Sequence, residues 1–348
     1  MVKSLRRFLP VFANSAAFRK VVALLDQSGA ERPNLLRVLT YHRVDAPQAR
    51  PWLDPVLISA SPEVFETQMK YISTNYQPIS ILDVLDALER HHRTILPPRA
   101  ILITFDDAYQ DFEQHAWPVL KSYHIPVTLF VPTAFPDHPE RLFWWDRLFH
   151  ALHSTVESEI TTPIGRLAIG TDLERSQANL RLKNHIKSLP NDAAIAFVED
   201  LEYQLNVAPR TNCVLGWAAL RKLANEGVTL VPHTQTHPIM NHIPTNAMQD
   251  EASGSLHDLQ REIGETLPVF AYPGGFHNAE VVNAVRAAGF KLAFTTERGI
   301  NILGREDPLQ LQRINVGAQT TVPILRAQLL SLSASLYPIG KKVLTVFG

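Results

Sequence analysis

Ala100-Ile101-Leu102-Ile103-Thr104-Phe105-Asp106-Asp107 runs an almost wholly apolar stretch straight into two adjacent carboxylates. With no polar alternation, such a run predicts a strand buried on both faces, as in a parallel sheet. Leu36 to Tyr41 upstream and Val127 to Val131 downstream have the same character. Helical patterns separate them. Ser61-Pro62 reads as an N-cap with proline at the first helical position, and Phe65, Met69 and Ile72 share one face. Ser80 predicts a second cap, with Leu82, Leu85 and Leu88 inward, and a further helix is expected near Phe112 to Tyr123. Beyond Trp217 the alternation resumes. A helix ends at Gly227, strands follow at 228–231 and 269–272, Asn278 caps a helix closing at Gly289, and strands are expected at 292–295 and 309–316. Alternating strands and helices imply parallel pairing through right-handed crossovers, and six or seven such units suit a closed α/β barrel. Several apolar strands end in charged or histidine-bearing loops, where barrel enzymes build their sites.

The stretch from about Pro136 to Pro209 breaks this rhythm with charged, helical patterning, and Phe143-Trp144-Trp145-Asp146 opens it. The expected organisation is therefore a barrel from 36–135 and 216–320, a helical insertion at 136–215, a basic helical segment at 1–35 and a helical tail at 321–348. The chain has 348 residues, 45% of them hydrophobic, enough for a large core. Its 33 Lys and Arg against 34 Asp and Glu argue against a nucleic-acid partner. The lone Cys213 excludes an intramolecular disulfide and is compatible with a cytoplasmic protein. Lys3, Arg6 and Arg7 precede the short apolar run 8–13, and Arg19 and Lys20 follow it. That run is short for a signal peptide, and no stretch approaches the roughly 20 apolar residues of a membrane span. The segment is expected to pack as a helix on the domain, the alternative being a peripheral membrane contact.

Three clusters carry chemistry. Asp106-Asp107 places like charges side by side, which calls for a metal or a cationic partner unless the loop is merely solvated. Neighbouring side chains diverge, so one carboxylate can ligate while the other faces substrate. His233-Thr234-Gln235-Thr236-His237-Pro238 places two histidines four residues apart, a spacing that brings them together on a helical turn. With a carboxylate from another strand they make a three-ligand site with open positions, the form of a catalytic metal centre. Phe270-Ala271-Tyr272-Pro273-Gly274-Gly275 forces a turn after a strand, and its glycines let backbone N–H groups approach a substrate.

Together these motifs resemble the polysaccharide deacetylases, the NodB-homology or carbohydrate esterase family 4 domain. Thr104-Phe105-Asp106-Asp107 is similar to the family's first motif, His233 to Pro238 to its second, and Tyr272 to Gly275 to its third. Leu39-Thr40-Tyr41-His42-Arg43-Val44 resembles the first barrel strand of bacterial members linked to surface polysaccharides. The resemblance implies a deformed (β/α) barrel of about seven parallel strands and one divalent metal ion, usually Zn2+. It implies Asp107, His233 and His237 as metal ligands and Asp106 as general base. The substrate and its oxyanion would lie against Tyr272, Pro273, Gly274 and Gly275, with the Gly274 N–H as donor. The implied activity is hydrolysis of N-acetyl groups on an N-acetylated sugar or polysaccharide in bacterial glycan or exopolysaccharide metabolism.

Two positions depart from the family pattern. Ala271 stands where many members have an arginine paired with the catalytic carboxylate, which leaves Arg313 as a candidate for that pairing. The late strand Leu311-Gln312-Arg313-Ile314-Asn315-Val316 lacks the family's general-acid histidine, and His42 is the substitute, or else a structural histidine behind the Asp106-Asp107 loop. His115, His124, His150 and His153 are expected to be solvated, and Trp144-Trp145 either anchors the insertion or stacks on sugar. The alternatives to an N-deacetylase are an O-acetyl esterase or other amide hydrolase, and a glycan-binding protein without turnover.

Overall fold

The computed structural model describes residues 34–330 apart from 90–94, 139, 209 and 212, together with Ser15 and Lys20. The basic segment expected at 1–35 and the end of the C-terminal tail lie outside the described residues. Seven strands form the barrel: β1 (Leu35–Tyr41), β2 (Ala100–Phe105), β3 (Val127–Val131), β4 (Thr229–Pro232), β5 (Val269–Ala271), β6 (Leu292–Arg298) and β7 (Leu311–Asn315). Their order is β5-β6-β7-β1-β2-β3-β4, with every neighbouring pair parallel. The barrel is nearly closed. Across the remaining seam, between β4 and β5, side chains satisfy backbone carbonyls: Thr266 Oγ1 donates to Leu230 O at 3.0 Å, and His233 Nδ1 to Ala271 O at 2.8 Å.

The period of two along each strand explains the layers. Leu36, Val38, Ala100 and Leu102 point into the barrel with Phe130, Phe294 and Leu311. Phe130 of β3 and Phe294 of β6 stand on opposite sides of the sheet order yet meet edge to face at 5.9 Å, which marks the barrel interior. The intervening side chains Leu39, Tyr41, Ile101, Ile103 and Phe105 face outward and pack with Phe65, Phe112 and Leu220 of the surrounding helices. The same alternation carries Thr104 and then Asp106 to the inner side at the end of β2.

Helix α1 (Pro62–Asn75) begins where expected. Ser61 Oγ accepts the Val64 N–H, Pro62 occupies the first turn, and Phe65, Met69 and Ile72 are buried. In α2 (Ile81–Glu89) the buried stripe is Ile81, Val84 and Leu85, whereas Leu82, expected inward, is 55% exposed. One residue along a helix is a rotation of about 100°, which carries Leu82 off that face. The helix expected at 112–123 opens with a π turn at Phe112–Ala116 before α3 (Trp117–Ser122), with Pro118 in the first turn of the latter. The last strand is shorter than expected, because Pro308–Gln310 forms a 3-10 turn capped by the Asp307 side chain.

The segment 136–215 contains α4 (Trp144–Ser154), α5 (Asp172–Ile186) and α6 (Asn191–Leu205), and also an antiparallel hairpin, Glu159–Thr162 with Gly165–Ala168. The sequence reading missed the hairpin because its four-residue strands are too short to show a period. Leu148, Ile160, Leu167, Leu182, Val198 and Leu201 give this segment its own core. Polar contacts around Asp54 help tie it to the barrel side. The Asp54 N–H donates to Asp146 Oδ1 at 2.9 Å, and Lys183 Nζ pairs with Asp54 Oδ2. Helices α7 (Trp217–Asn225), α8 (Thr245–Ile263) and α9 (Ala279–Ala287) complete the outer layer. Asn278 caps α9, and the chain turns at Gly289 with φ 89°. The described part of the tail forms α10 (Val322–Gln328). No described helix is long and apolar enough to cross a membrane.

Candidate active site

The end of β2 sets the two carboxylates apart. The Asp106 N–H still donates to Tyr41 O at 3.0 Å, so Asp106 continues the strand. Asp107 and Ala108 then adopt φ 72° and 51°, a left-handed conformation that aspartate tolerates better than most residues and that turns the chain sharply. Asp107 Oδ1 thereby comes within 3.5 Å of His233 Nε2 and 3.3 Å of His237 Nε2. Both lie at the end of β4, in a loop rather than on the helical turn that their spacing suggested. Thr234 (φ 63°) and His237 (φ 58°) bend that loop, and Glu251 of α8 accepts the N–H groups of Gln235 and Thr236 at 2.8 and 2.9 Å. Glu251 was not legible as a site residue, because its role depends on α8 lying beside the loop.

The three groups fit a divalent ion. Their ligand atoms lie within 4.8 Å of one another, and Asp107 Oδ1 is buried with no hydrogen-bond partner. Bonds of about 2.0–2.1 Å in tetrahedral array put neighbouring ligand atoms about 3.3 Å apart, close to the two distances found here. His233 Nδ1 donates to Ala271 O, which leaves Nε2 as the lone-pair donor. Burial, only partly opposed by Asp106, pushes the His233 pKa down to about 4 and keeps the imidazole in its ligating neutral form. Burial also opposes the Asp107 charge, but His237, His42 and His233 outweigh it and hold that carboxyl below its usual range.

Asp106 is held by Arg313. Nη1 meets Oδ1 and Nη2 meets Oδ2, both at 2.8 Å, while Nε donates to Thr295 O at 2.8 Å. Arg313 is 0% exposed. Burial works against the Asp106 charge, yet Arg313, followed by His233 and His42, holds its carboxyl well below the usual carboxylate range. Ala271 contributes its carbonyl to His233, and the guanidinium arrives from β7 instead. His42 lies at the end of β1 with Nε2 3.9 Å from Asp106 Oδ2, and its side chain is partly exposed to the cleft.

In the third motif, Pro273 and Gly274 line the cleft, and the Gly274 N–H has no acceptor among the described residues. Tyr272 and Gly275 shape the turn instead. Tyr272 is buried with its hydroxyl donating to Leu309 O at 2.9 Å, and the Gly275 N–H donates to Tyr272 O at 2.8 Å. Gly275 has φ 74°, and a Cβ there would stand 1.9 Å from Thr296 Oγ1 and 2.7 Å from the Thr296 backbone nitrogen. Gly275→Ala is therefore expected to cost at least about 1–3 kcal/mol and to displace the turn, read as a lowered thermal midpoint.

The insertion reaches the site through aromatic packing. Trp145 and Phe143 set their rings edge-on against His237, at 4.9 and 5.4 Å between centroids. Trp145 Nε1 donates to the Tyr109 hydroxyl at 3.0 Å, and that hydroxyl donates to Asp146 Oδ2 at 2.6 Å. Burial pushes the Asp146 carboxyl up to about 7 against the pull of Tyr109 and the Asp54 backbone. Trp145 is thus an anchor, while Trp144 is half-buried beside it on the cleft wall. His150, expected to be solvated, is 5% exposed, with Nε2 on Ala208 O at 3.0 Å, because α4 turns that face toward α6.

A near-closed parallel barrel with a carboxylate–imidazole centre and a second, arginine-held carboxylate defines an enzyme of the hydrolytic class. The sequence profile for polysaccharide deacetylase matches residues 94–293, more than half of the chain. The Bacillus subtilis protein YxkH is 21% identical over 270 residues, covering 77% of this chain and 67% of that protein. The poly-β-1,6-N-acetyl-D-glucosamine N-deacetylase of Escherichia coli is 29% identical over 116 residues, 32% of this chain and 16% of that longer protein. The Streptococcus pyogenes deacetylase PplD, solved with acetate, superposes with TM-score 0.58 at 18% identity, over 86% of this chain and 99% of that one, a likeness of fold. The chain belongs to the polysaccharide deacetylase family, whose members hydrolyse N-acetyl amide bonds on carbohydrates.

Proposed function

We propose that this chain removes N-acetyl groups from an N-acetylated sugar of a bacterial glycan or exopolysaccharide, with Asp107, His233 and His237 holding one Zn2+. The observation that carries the reading is the orphaned Asp107 Oδ1, aimed at two imidazole Nε2 atoms beside an arginine-paired Asp106. The bound ion supplies Lewis acidity and makes water more acidic at neutral pH. Asp106, kept ionised by Arg313, accepts the proton of the attacking water. The Gly274 N–H donates to the oxygen that gains charge as the acetamide carbon becomes tetrahedral. His42 protonates the departing nitrogen. The C–N bond breaks, and acetate and a free sugar amine are the products. The division into a barrel (36–135 and 216–320), an insertion (136–215) and flanking segments belongs to the same reading, with the insertion forming one wall of the substrate cleft.

The test is acetate release from a panel of N-acetylated glycans, including β-1,6-linked N-acetylglucosamine oligomers, alongside metal analysis of the purified protein. About one zinc per chain is expected. Chelation is expected to abolish turnover and restored zinc to recover it. Release from O-acetylated glycans alone would mark an esterase, and binding without release by the metal-loaded protein would overturn the enzymatic reading.

A further inference from the structure

We propose that Lys187, at the C-terminal end of α5, selects glycans carrying an anionic group next to the N-acetylated sugar. This rests on the deacetylase reading above and deepens it. Lys183 and Lys187 stand one helical turn apart, and both line the cleft that contains Asp106, Asp107 and His42. They are not equivalent. Lys183 is neutralised by Asp54 Oδ2, an oxygen also approached by Asn179 Nδ2 at 3.4 Å. Lys187 has no carboxylate among its described contacts. Its ammonium lies 5.9 Å from the centre of the Phe276 ring, which follows the Pro-Gly-Gly turn, so the side chain spans from the insertion toward the barrel loop. The side chain is exposed, so its ammonium stands hydrated at the edge of the cleft, where it can meet an anionic group on a bound glycan.

The carboxylates of the cleft are engaged elsewhere. Asp106 is taken by Arg313, and Asp107 faces the two imidazoles. A neutral acetamido sugar offers Lys187 no charge to pair with. A substrate bearing a carboxylate or a phosphate does, and a compact ammonium on a flexible stem accepts either. The apolar rings of Trp144 and Phe276 on the same cleft leave the charge as its discriminating feature.

Three oligosaccharides decide the matter with the zinc-loaded enzyme. One is neutral N-acetylglucosamine, one alternates N-acetylglucosamine with a uronic acid, and one is N-acetylglucosamine bearing a phosphate. Acetate release gives kcat and KM, and calorimetry gives binding of the same compounds. At least one acidic glycan is expected to show a KM about tenfold or more below the neutral one, the lower range for a hydrogen bond to a charged group. That advantage should shrink as salt rises. In Lys187→Gln the acidic-to-neutral ratio of kcat/KM is expected to fall about tenfold at unchanged zinc content, and Lys187→Arg to keep it. The uronic acid and phosphate arms distinguish the two sources of charge. The proposal is overturned if the neutral oligomer binds as tightly as both acidic ones, or if Lys187→Gln weakens all three equally. Should no glycan yield acetate, the deacetylase reading fails, and the calorimetric comparison still decides the role of Lys187.

Discussion

Asp106→Asn is expected to lower kcat by about 10²–10⁴-fold, the usual cost of losing a general base, while zinc stays bound. Asp107→Asn is expected to lose zinc affinity and activity together, and excess zinc should restore part of the activity. Acetate release and metal content measured on the same preparations separate the two. The neighbours differ because β2 delivers Asp106 on its inner face, against Arg313, and the left-handed turn at Asp107 swings the next carboxylate toward His233 and His237. An amide in place of the Asp106 carboxylate also offers the guanidinium one acceptor fewer, so thermal midpoints accompany the kinetics. If both variants lose zinc equally and both recover with added zinc, Asp106 is not the base, and His42 becomes the candidate.

Arg313→Leu carries the second large effect. Its guanidinium is 0% exposed and spans both oxygens of Asp106, so removal strands a buried carboxylate. Loss of one partner of a buried pair typically costs about 3–5 kcal/mol, read by denaturant unfolding. The pH dependence should change as well. In the intact protein Arg313 and the nearby histidines hold the Asp106 carboxyl below its usual range despite burial. The stability from this group is then present above the unfolded carboxylate pKa of about 3.9 and lost only as pH falls through the lower folded value. Without Arg313 burial dominates and the carboxyl pKa rises. A general base works deprotonated, so the acid limb of kcat/KM is expected to move to higher pH in Arg313→Leu. An unmoved acid limb would show that Arg313 does not set the ionisation of Asp106.

Much of the barrel was legible because its cues are local. A run such as Ile101 to Phe105 has few ways to bury itself, Ser61-Pro62 and Asn278 supply caps within one turn of chain, and Gly289 marks a helix end by its positive φ. The hairpin at 159–168 escaped because its strands are too short to show a period, and Leu82 lies one step of about 100° off the stripe that Ile81, Val84 and Leu85 bury. In the site, the residue types at 106, 107, 233 and 237 were legible with their chemistry. The shape of their loop was not, because Glu251 arrives from a helix that no pattern in the loop itself announces.

The sequence by itself determined the apolar strands, their alternation with helices, the carboxylates placed at the end of β2, and the family membership those motifs express. Each follows from steric and solvation preferences acting over a few neighbouring residues. Only the tertiary structure decided that Arg313, 207 residues from Asp106, pairs with both of its oxygens, that His233 bridges the seam between β4 and β5, and that Lys187 of the insertion reaches the cleft. The physical reason is barrel closure. Strand order and register bring β7 and β1 into pairing beside β2, and that non-local geometry sets which charges share a dry interior.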